Sequence, residues 1–245
     1  MRLLSWNIHK GIGGLDRRYD LTRILDVIHH YDPDVCVLQE VDNGVPRSRE
    51  HDQAHLLSEV LGYPYHAFGA NVSLRKGSYG NATLSRFPLA EVYNINLGLS
   101  LKKPRGALYT EIHARAGRHV RTIHLVNCHL GLSGTERRMQ VRRLLESAQL
   151  SRLGNASRII IAGDTNDWNG ALARGRLRRA GFTCATGRGA RASRTFPAWR
   201  PASARDRIYL RGPVAGAHHV RGRLSVCLQA SDHLPIIMDL DLLGH

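Results

Sequence analysis

Ile159-Ile160-Ile161-Ala162-Gly163-Asp164-Thr165-Asn166 is an apolar run that meets a glycine and then turns acidic and amidic within three residues. Consecutive β-branched residues without alternation read as a strand buried on both faces, because alternation is expected only where one face meets water. The polar residues closing the run therefore emerge at a strand end. Three further segments repeat the plan: Leu3-Leu4-Ser5-Trp6 leads to Asn7, Val35-Cys36-Val37-Leu38 leads to Gln39-Glu40, and Ser231-Asp232-His233 precedes Ile236-Ile237. Polar groups delivered by buried strands can share one cleft, whereas scattered surface polars have no reason to sit there.

Outward from these runs, Leu21, Ile24, Leu25 and Ile28 follow helical spacing after Asp20 at the N-cap position, and Asp32-Pro33 stops the helix. His55 to Leu61 reads as a second helix closed by Gly62. Ser78 to Ser85 is a strand entered through a glycine turn and broken by Arg86-Phe87-Pro88, and Ala107 to His113 and Thr122 to Leu130 alternate like strands. Ser133 and Glu136 have capping-box spacing ahead of a helix with Val141, Leu144, Leu145 and Ala148 on its apolar stripe; Arg137, Arg138, Arg142 and Arg143 read as its solvated face. A short helix is expected from Leu172 to Ala180, ended by Gly181. Gly187 to Arg205, rich in Arg, Gly, Ala and Pro, reads as the least ordered stretch. Strands at Ile208 to Leu210, Ser225 to Leu228 and Ile236 to Leu242 finish the chain. The mixture predicts an α/β fold with a pair of packed mixed sheets and helices outside.

At 245 residues one sizeable core is possible, and a single domain over residues 1–245 is expected. No apolar run approaches the roughly 20 residues that a membrane helix needs. A strand leading straight to Asn7 leaves no room for a cleaved signal segment, so the cytoplasm is the expected compartment. Cys36, Cys128, Cys184 and Cys227 lack paired ligand spacing, so neither disulfides nor a zinc-thiolate site is expected; Cys36 and Cys128 lie in apolar runs that suit a buried thiol. A net charge of +15 suits an anionic partner, nucleic acid or a phospholipid head group. Lys10, Lys76, Lys102 and Lys103 are the only lysines, so the excess is arginine dispersed along the chain, which a biased codon usage also produces.

Cleaving a phosphate ester calls for a metal to gather charge, a base to activate water and donors for the developing charge. Glu40 and Asp232 are hard oxygen donors suited to Mg²⁺ or Mn²⁺, with Asn7 as a neutral oxygen ligand or an orienter of Glu40. Asp164 can take a proton from water while Asn166 donates to the phosphate or the nucleophile. His129 and His233 can hydrogen-bond phosphate oxygens, and Asp206 can hold one imidazole protonated. Arg105 and Asn81 are candidate phosphate contacts. Singly these signals are weak, since turn chemistry alone favours Asn and Asp at strand ends. His9, His51, His113, His124, His218 and His219 read as ordinary surface or core histidines.

Order raises the specificity. Trp6-Asn7-Ile8-His9, Leu38-Gln39-Glu40, Gly80-Asn81-Ala82, Asn127-Cys128-His129-Leu130, Gly163-Asp164-Thr165-Asn166-Asp167, Arg205-Asp206-Arg207-Ile208 and Ser231-Asp232-His233-Leu234-Pro235 together resemble the endonuclease/exonuclease/phosphatase family, the superfamily of DNase I and neutral sphingomyelinases. The resemblance spans essentially the whole chain and is nearest to compact bacterial members. It implies a four-layer α/β sandwich of two mixed β-sheets flanked by helices, and Mg²⁺-dependent attack of water on a phosphate ester. It also implies Glu40 as principal metal ligand supported by Asn7 and Asp232, and Asp164 as the residue that orients or deprotonates the water, with Asn166 its partner. Asp206 and His233 resemble the family's carboxylate-imidazole pair, and His129 its second phosphate-side histidine.

Thr165 stands where the family usually has Phe, a change expected to alter packing rather than chemistry, and no acidic partner for His129 is evident near Tyr79. No large insertion suited to gripping DNA or docking on a membrane stands out. The leading expectation is a monomeric Mg²⁺-dependent phosphodiesterase acting on nucleic acid. The alternatives are a phospholipid head-group phosphodiesterase, a phosphomonoesterase and a non-catalytic nucleic-acid-binding module. A phosphomonoesterase would need a compact basic pocket, for which Arg105, Arg191, Arg194 and Arg200 are the candidates.

Overall fold

The computed structural model describes residues 1–116, 118–187 and 189–242. One sheet has the order β11 (Ala215–Arg221), β12 (Ile236–Asp241), β1 (Arg2–Asn7), β2 (Val35–Asn43), β4 (Ser78–Ser85) and β3 (Tyr65–Ser73). The other has the order β5 (Leu89–Asn96), β6 (Gly106–Ala116), β7 (His119–His129), β8 (Arg158–Asp164), β10 (Asp206–Arg211) and β9 (Thr183–Cys184). Both are mixed: β1–β2 and β7–β8 are parallel, and the other pairs are antiparallel.

Strand alternation explains the layers. Leu3, Val35, Val37, Ile123, Leu125, Ile160, Ala162, Ile208 and Ile236 meet in a single apolar layer between the sheets. Their neighbours Leu4, Cys36 and Leu38 face outward, under α1 (Thr22–Tyr31), α2 (Gln53–Leu61) and α7 (Ser225–Ala230). On the opposite side Val126, Cys128, Ile159 and Ile161 are covered by α3 (Gly134–Leu145), α4 (Ala148–Ser151), α5 (Ala171–Arg174) and α6 (Arg176–Arg179). Strands apolar on both faces thus sit in a four-layer sandwich. Burying a side chain such as Ile160 on such a surface contributes about 1.5–3 kcal/mol.

Local signals hold at several helix ends. Asp52 caps α2 by accepting from the His55 backbone N–H at 3.1 Å, Gly62 closes it in the left-handed region, and Ser133 caps α3 through the Glu136 N–H. Other expectations are corrected. Asp20 lies one residue too early to cap α1, bonding instead to the Thr22 N–H, while Leu21 occupies the cap position. Ser225 to Leu228 is helical, because Cys227 and Ala230, three residues apart, bury one face among the helices of the first sheet. The helix expected from Leu172 is broken in two at Gly175. Arg137 is buried, with its guanidinium bonded to the Leu132 carbonyl at 2.5 Å; Arg138, Arg142 and Arg143 are exposed as expected.

Toward one end of the sandwich the apolar layer gives way to amides that cross between sheets. Asn127 of β7 donates to the carbonyls of Leu38 at 3.0 Å and Ala82 at 2.8 Å and accepts from Gln39 Nε2 at 2.9 Å. Asn81 of β4 answers by donating to the carbonyls of Gly106 and Asn127, both at 3.1 Å. Both its amide hydrogens are spent, so Asn81, expected at a phosphate, is a tie between sheets. Asn127→Ala removes two donors and one of the two acceptors of Gln39 Nε2, which keeps the Val37 carbonyl, so the unfolding free energy measured in urea should fall by about 3 kcal/mol. A loss below about 1 kcal/mol would show that the sheets are held by apolar packing alone.

Candidate active site

The inward-facing register that places Ile160 and Ala162 between the sheets carries on to Asp164, and strand pairing sets its neighbours. His129 lies beside Asp164 in the β7–β8 pair, and Asp206 lies opposite it in the β8–β10 pair. Gly163 makes this possible: at φ +139 its chain runs so close to β7 that a Cβ would stand 2.0 Å from the Cys128 carbonyl oxygen. Asn7, at the end of β1, reaches across from the other sheet, its Nδ2 donating to Asp164 Oδ2 at 3.1 Å.

Glu40 arrives by another route. Leu38 and Val41 both pack on the outer face of the first sheet, so Glu40 is the extra residue of a bulge between Gln39 and Val41, with φ 54. That conformation costs a non-glycine residue about 1–2 kcal/mol. It swings the carboxylate to His129, with Oε1 at 3.9 Å from Nδ1, while Oε2 pairs with the ammonium of Lys10. His9, Lys10 and Asn166 share the left-handed region. Strain of this kind gathers where a surrounding structure over-determines it, as at functional sites.

Asp164 is the hub. Its Oδ1 accepts the Asn166 backbone N–H at 3.1 Å, and its Oδ2 faces His129 Nε2 at 3.4 Å and His233 Nε2 at 3.7 Å. Asn166 Nδ2 is anchored on the Leu130 carbonyl at 3.0 Å. Thr165 bonds through both N–H and hydroxyl to the Arg205 carbonyl, so the exchange of Phe for Thr joins the exit of β8 to the entrance of β10. Behind the hub, His233 Nδ1 lies 2.8 Å from Asp206 Oδ2, and the Thr195 hydroxyl donates to the same oxygen. Phe196 packs on the His233 ring at 4.9 Å between centroids.

The two imidazoles are held in opposite states. Burial would strip the proton from His233, but Asp206 and then Asp164 outweigh it and raise the imidazole to about 10. For His129 burial wins over the pull of Asp164 and Glu40, with Arg105 pushing the same way, and it falls to about 4. Burial also opposes the charge on Glu40, but His129, Lys10 and His9 overcome it and hold the carboxyl well below the usual range.

Asp164, Asp206 and His233 offer ligand atoms within 4.8 Å of one another, a buried cluster consistent with a metal site. The three expected metal ligands border it. Asn7 Oδ1 accepts the His9 N–H at 3.0 Å; Asp232 Oδ1 is buried without a hydrogen-bond partner among the described residues, 3.9 Å from His9 Nδ1; and Glu40 stands beyond His129. Arg105 is close enough to His129 to depress it. Of the ten candidates, the structure gathers nine about one cleft and sets Asn81 apart in the inter-sheet tie.

Sequence reasoning missed Lys10, His9, Thr195 and Phe196. The first two lie in the Asn-Ile-His-Lys-Gly start and the others in Arg-Thr-Phe-Pro, so their motif membership was the available signal. The 187–205 stretch is not loose near the site: Thr195 bonds Asp206, the Leu234 N–H bonds the Thr195 carbonyl, and the Ala198 N–H bonds the Asp232 carbonyl at 2.8 Å.

Two mixed sheets with helices on both outer faces, closed at one end by carboxylates and imidazoles, define the DNase I-like class of α/β sandwich. Residues 4–233 match the endonuclease/exonuclease/phosphatase family, and the chain belongs to it. Members of that family are typically metal-dependent phosphoesterases. The chain is 31% identical over 253 residues to the uncharacterized protein YbhP of Escherichia coli strain K12, covering 98% of this chain and 96% of YbhP. It is similar in fold to an endonuclease/exonuclease/phosphatase from Beutenbergia cavernae, with a TM-score of 0.79 and 23% identity over 99% of this chain and 71% of that one. D. rerio TDP2 complexed with single strand DNA product gives a TM-score of 0.70 and 21% identity over 98% of each chain.

Asp206→Ala and His233→Ala each leave a buried charge unpaired, and each should cost about 3–5 kcal/mol of stability. The double variant should lose less than the sum, with a coupling of about 0.5–3 kcal/mol in a urea-unfolding cycle. Strict additivity would show that the pair does not act as one unit.

Proposed function

We propose that this protein is a divalent-metal-dependent phosphodiesterase that cuts nucleic acid. The observation that carries the reading is the Asp164 carboxylate, faced on one oxygen by a neutral imidazole and an imidazolium. Asp164 accepts the proton of a water whose oxygen bonds to phosphorus as the bond from phosphorus to the leaving oxygen breaks. Asn7 and the Asn166 N–H fix its two oxygens. The His233 imidazolium meets the negative charge that grows on the phosphate, and Asp206 keeps it protonated and aimed. Arg105 supplies a second cation on the His129 side.

The donors around the cleft fit a hard ion: Glu40 is ionised, Asn7 offers a neutral oxygen, and Asp232 Oδ1 is buried and unpartnered among the described residues. Bound there, Mg²⁺ or Mn²⁺ would act as a Lewis acid on the phosphate. Nucleic acid is favoured by the charge of +15 and by Trp168 and Trp199, which are 62% and 48% exposed on the loops that carry Asn166 and Ala198. Exposed rings on loops that leave the cleft can serve as stacking platforms for bases. The likeness to a TDP2 holding a single strand DNA product supports the same choice. A phospholipid head group is the second reading, favoured by Leu101 and Leu132, exposed at the same end.

Turnover of a generic phosphodiester should require Mg²⁺ or Mn²⁺ and stop on chelation; activity undiminished by EDTA would remove the metal from the reaction. Asp164→Asn keeps volume and loses the base, so steady-state turnover should drop about 10²- to 10⁴-fold with the circular dichroism spectrum unchanged. A near wild-type rate in that variant would take Asp164 out of its role.

A further inference from the structure

The mechanism leaves a second basic feature unused. Arg191 and Arg194, from the segment leading to Thr195, line a groove of about 440 Å³ with His218, His219 and Arg221 of β11 and with Arg223 just beyond it. No carboxylate lines it, and none of its four arginines forms an ion pair among the described residues. Its walls are tied together: Arg221 donates to the Arg194 carbonyl at 2.8 Å, and His219 Nε2 lies 3.0 Å from the Ser193 hydroxyl. Cationic side chains drawn together without counter-charges repel one another, and an anion relieves that repulsion.

The groove is tied to the catalytic cleft through the chain. Arg194 precedes Thr195, which bonds Asp206, and Arg221 pairs in register with Ile236, three residues after His233. The Gly222 N–H bonds the Pro235 carbonyl at 2.8 Å. Arginine offers a planar fork suited to phosphate oxygens. A substrate with a single phosphodiester has its phosphate in the cleft and nothing further to give this groove; a polymer has another phosphate one nucleotide along.

We propose that this groove holds a backbone phosphate of single-stranded nucleic acid next to the phosphate being cut. The inference takes its substrate class from the proposed function and its site from the groove itself.

Arg191 and Arg223 are exposed and their guanidinium groups make no hydrogen bond among the described residues, so charge reversal there leaves the fold intact. Anisotropy of a fluorescent single strand of about 12 nucleotides, titrated in EDTA so that nothing is cut, reads binding alone. Arg191→Glu and Arg223→Glu should each weaken binding about tenfold or more and flatten the salt dependence by about 0.7 decades per decade for each phosphate no longer neutralised. Arg118→Glu, in the β6–β7 turn at the opposite end of the sheet from His129, carries the same charge change and should have little effect. Metal-dependent turnover of bis(p-nitrophenyl) phosphate, which has a single phosphate, should be unchanged in both groove variants.

Weakening no greater than that in Arg118→Glu would overturn the proposal, as would an equal drop in small-diester turnover. Weakened binding to phosphatidylglycerol vesicles with the oligonucleotide unaffected would assign the groove to lipid instead and overturn it too. If the wild type hydrolyses no phosphodiester, the catalytic reading fails, and the anisotropy comparison still decides the groove.

Discussion

The exchange of amides between Asn127, Asn81 and Gln39 is the constraint on which the rest is hung. Apolar layers pack two sheets together without specifying how far one slides along the other, because dispersion and burial are tolerant of direction. Hydrogen bonds from Asn127 to the Leu38 and Ala82 carbonyls are not tolerant: a shift of one residue would bury them unpaired. The candidate site groups come from both sheets, with Asn7 and Glu40 on one and His129, Asp164 and Asp206 on the other. Their distances are therefore set by this tie a short way beneath them.

A second constraint is the conflict between strand parity and chemistry at Glu40. Inward positions supply Asn7, His129, Asp164 and Asp206 with no distortion, since each is an even step from a core residue. Glu40 is one step out of phase and reaches the cleft through a bulge and a left-handed backbone. Local strain there lets a regular scaffold present an irregular set of charges.

This division also explains what was legible in the sequence. The central strands read clearly because both faces are buried, so their apolar runs are continuous, as at Ile159 to Ala162. β3, β5 and β11, which lie at sheet edges and are partly exposed, carry no such run and were not foreseen. Ser225 to Leu228 misled because four residues, three of them apolar, suit a short strand as well as one helical turn. In the site, the residues that the structure brings together stand mostly at the ends of buried runs, where the sequence points to them. Thr195 and Phe196 were not legible, because their composition resembles a loose loop and only tertiary contact to Asp206 and His233 gives them a place. Asn81 sits in the tie between the sheets, since an amide at a strand end serves a phosphate or a neighbouring backbone equally well.

The pairing of β1 with β12, Arg2 beside Asp239, has a consequence for synthesis. The strand that carries Asn7 is made more than two hundred residues before its partner on one side, and Asp232 and His233 lie just ahead of that partner. Contacts of such long sequence separation form slowly, and these cannot form before β12 has been made. A fragment made only as far as β8 carries Glu40 and Asp164 without His233 and the flanking strand, so the cleft is not assembled until β12 has been made.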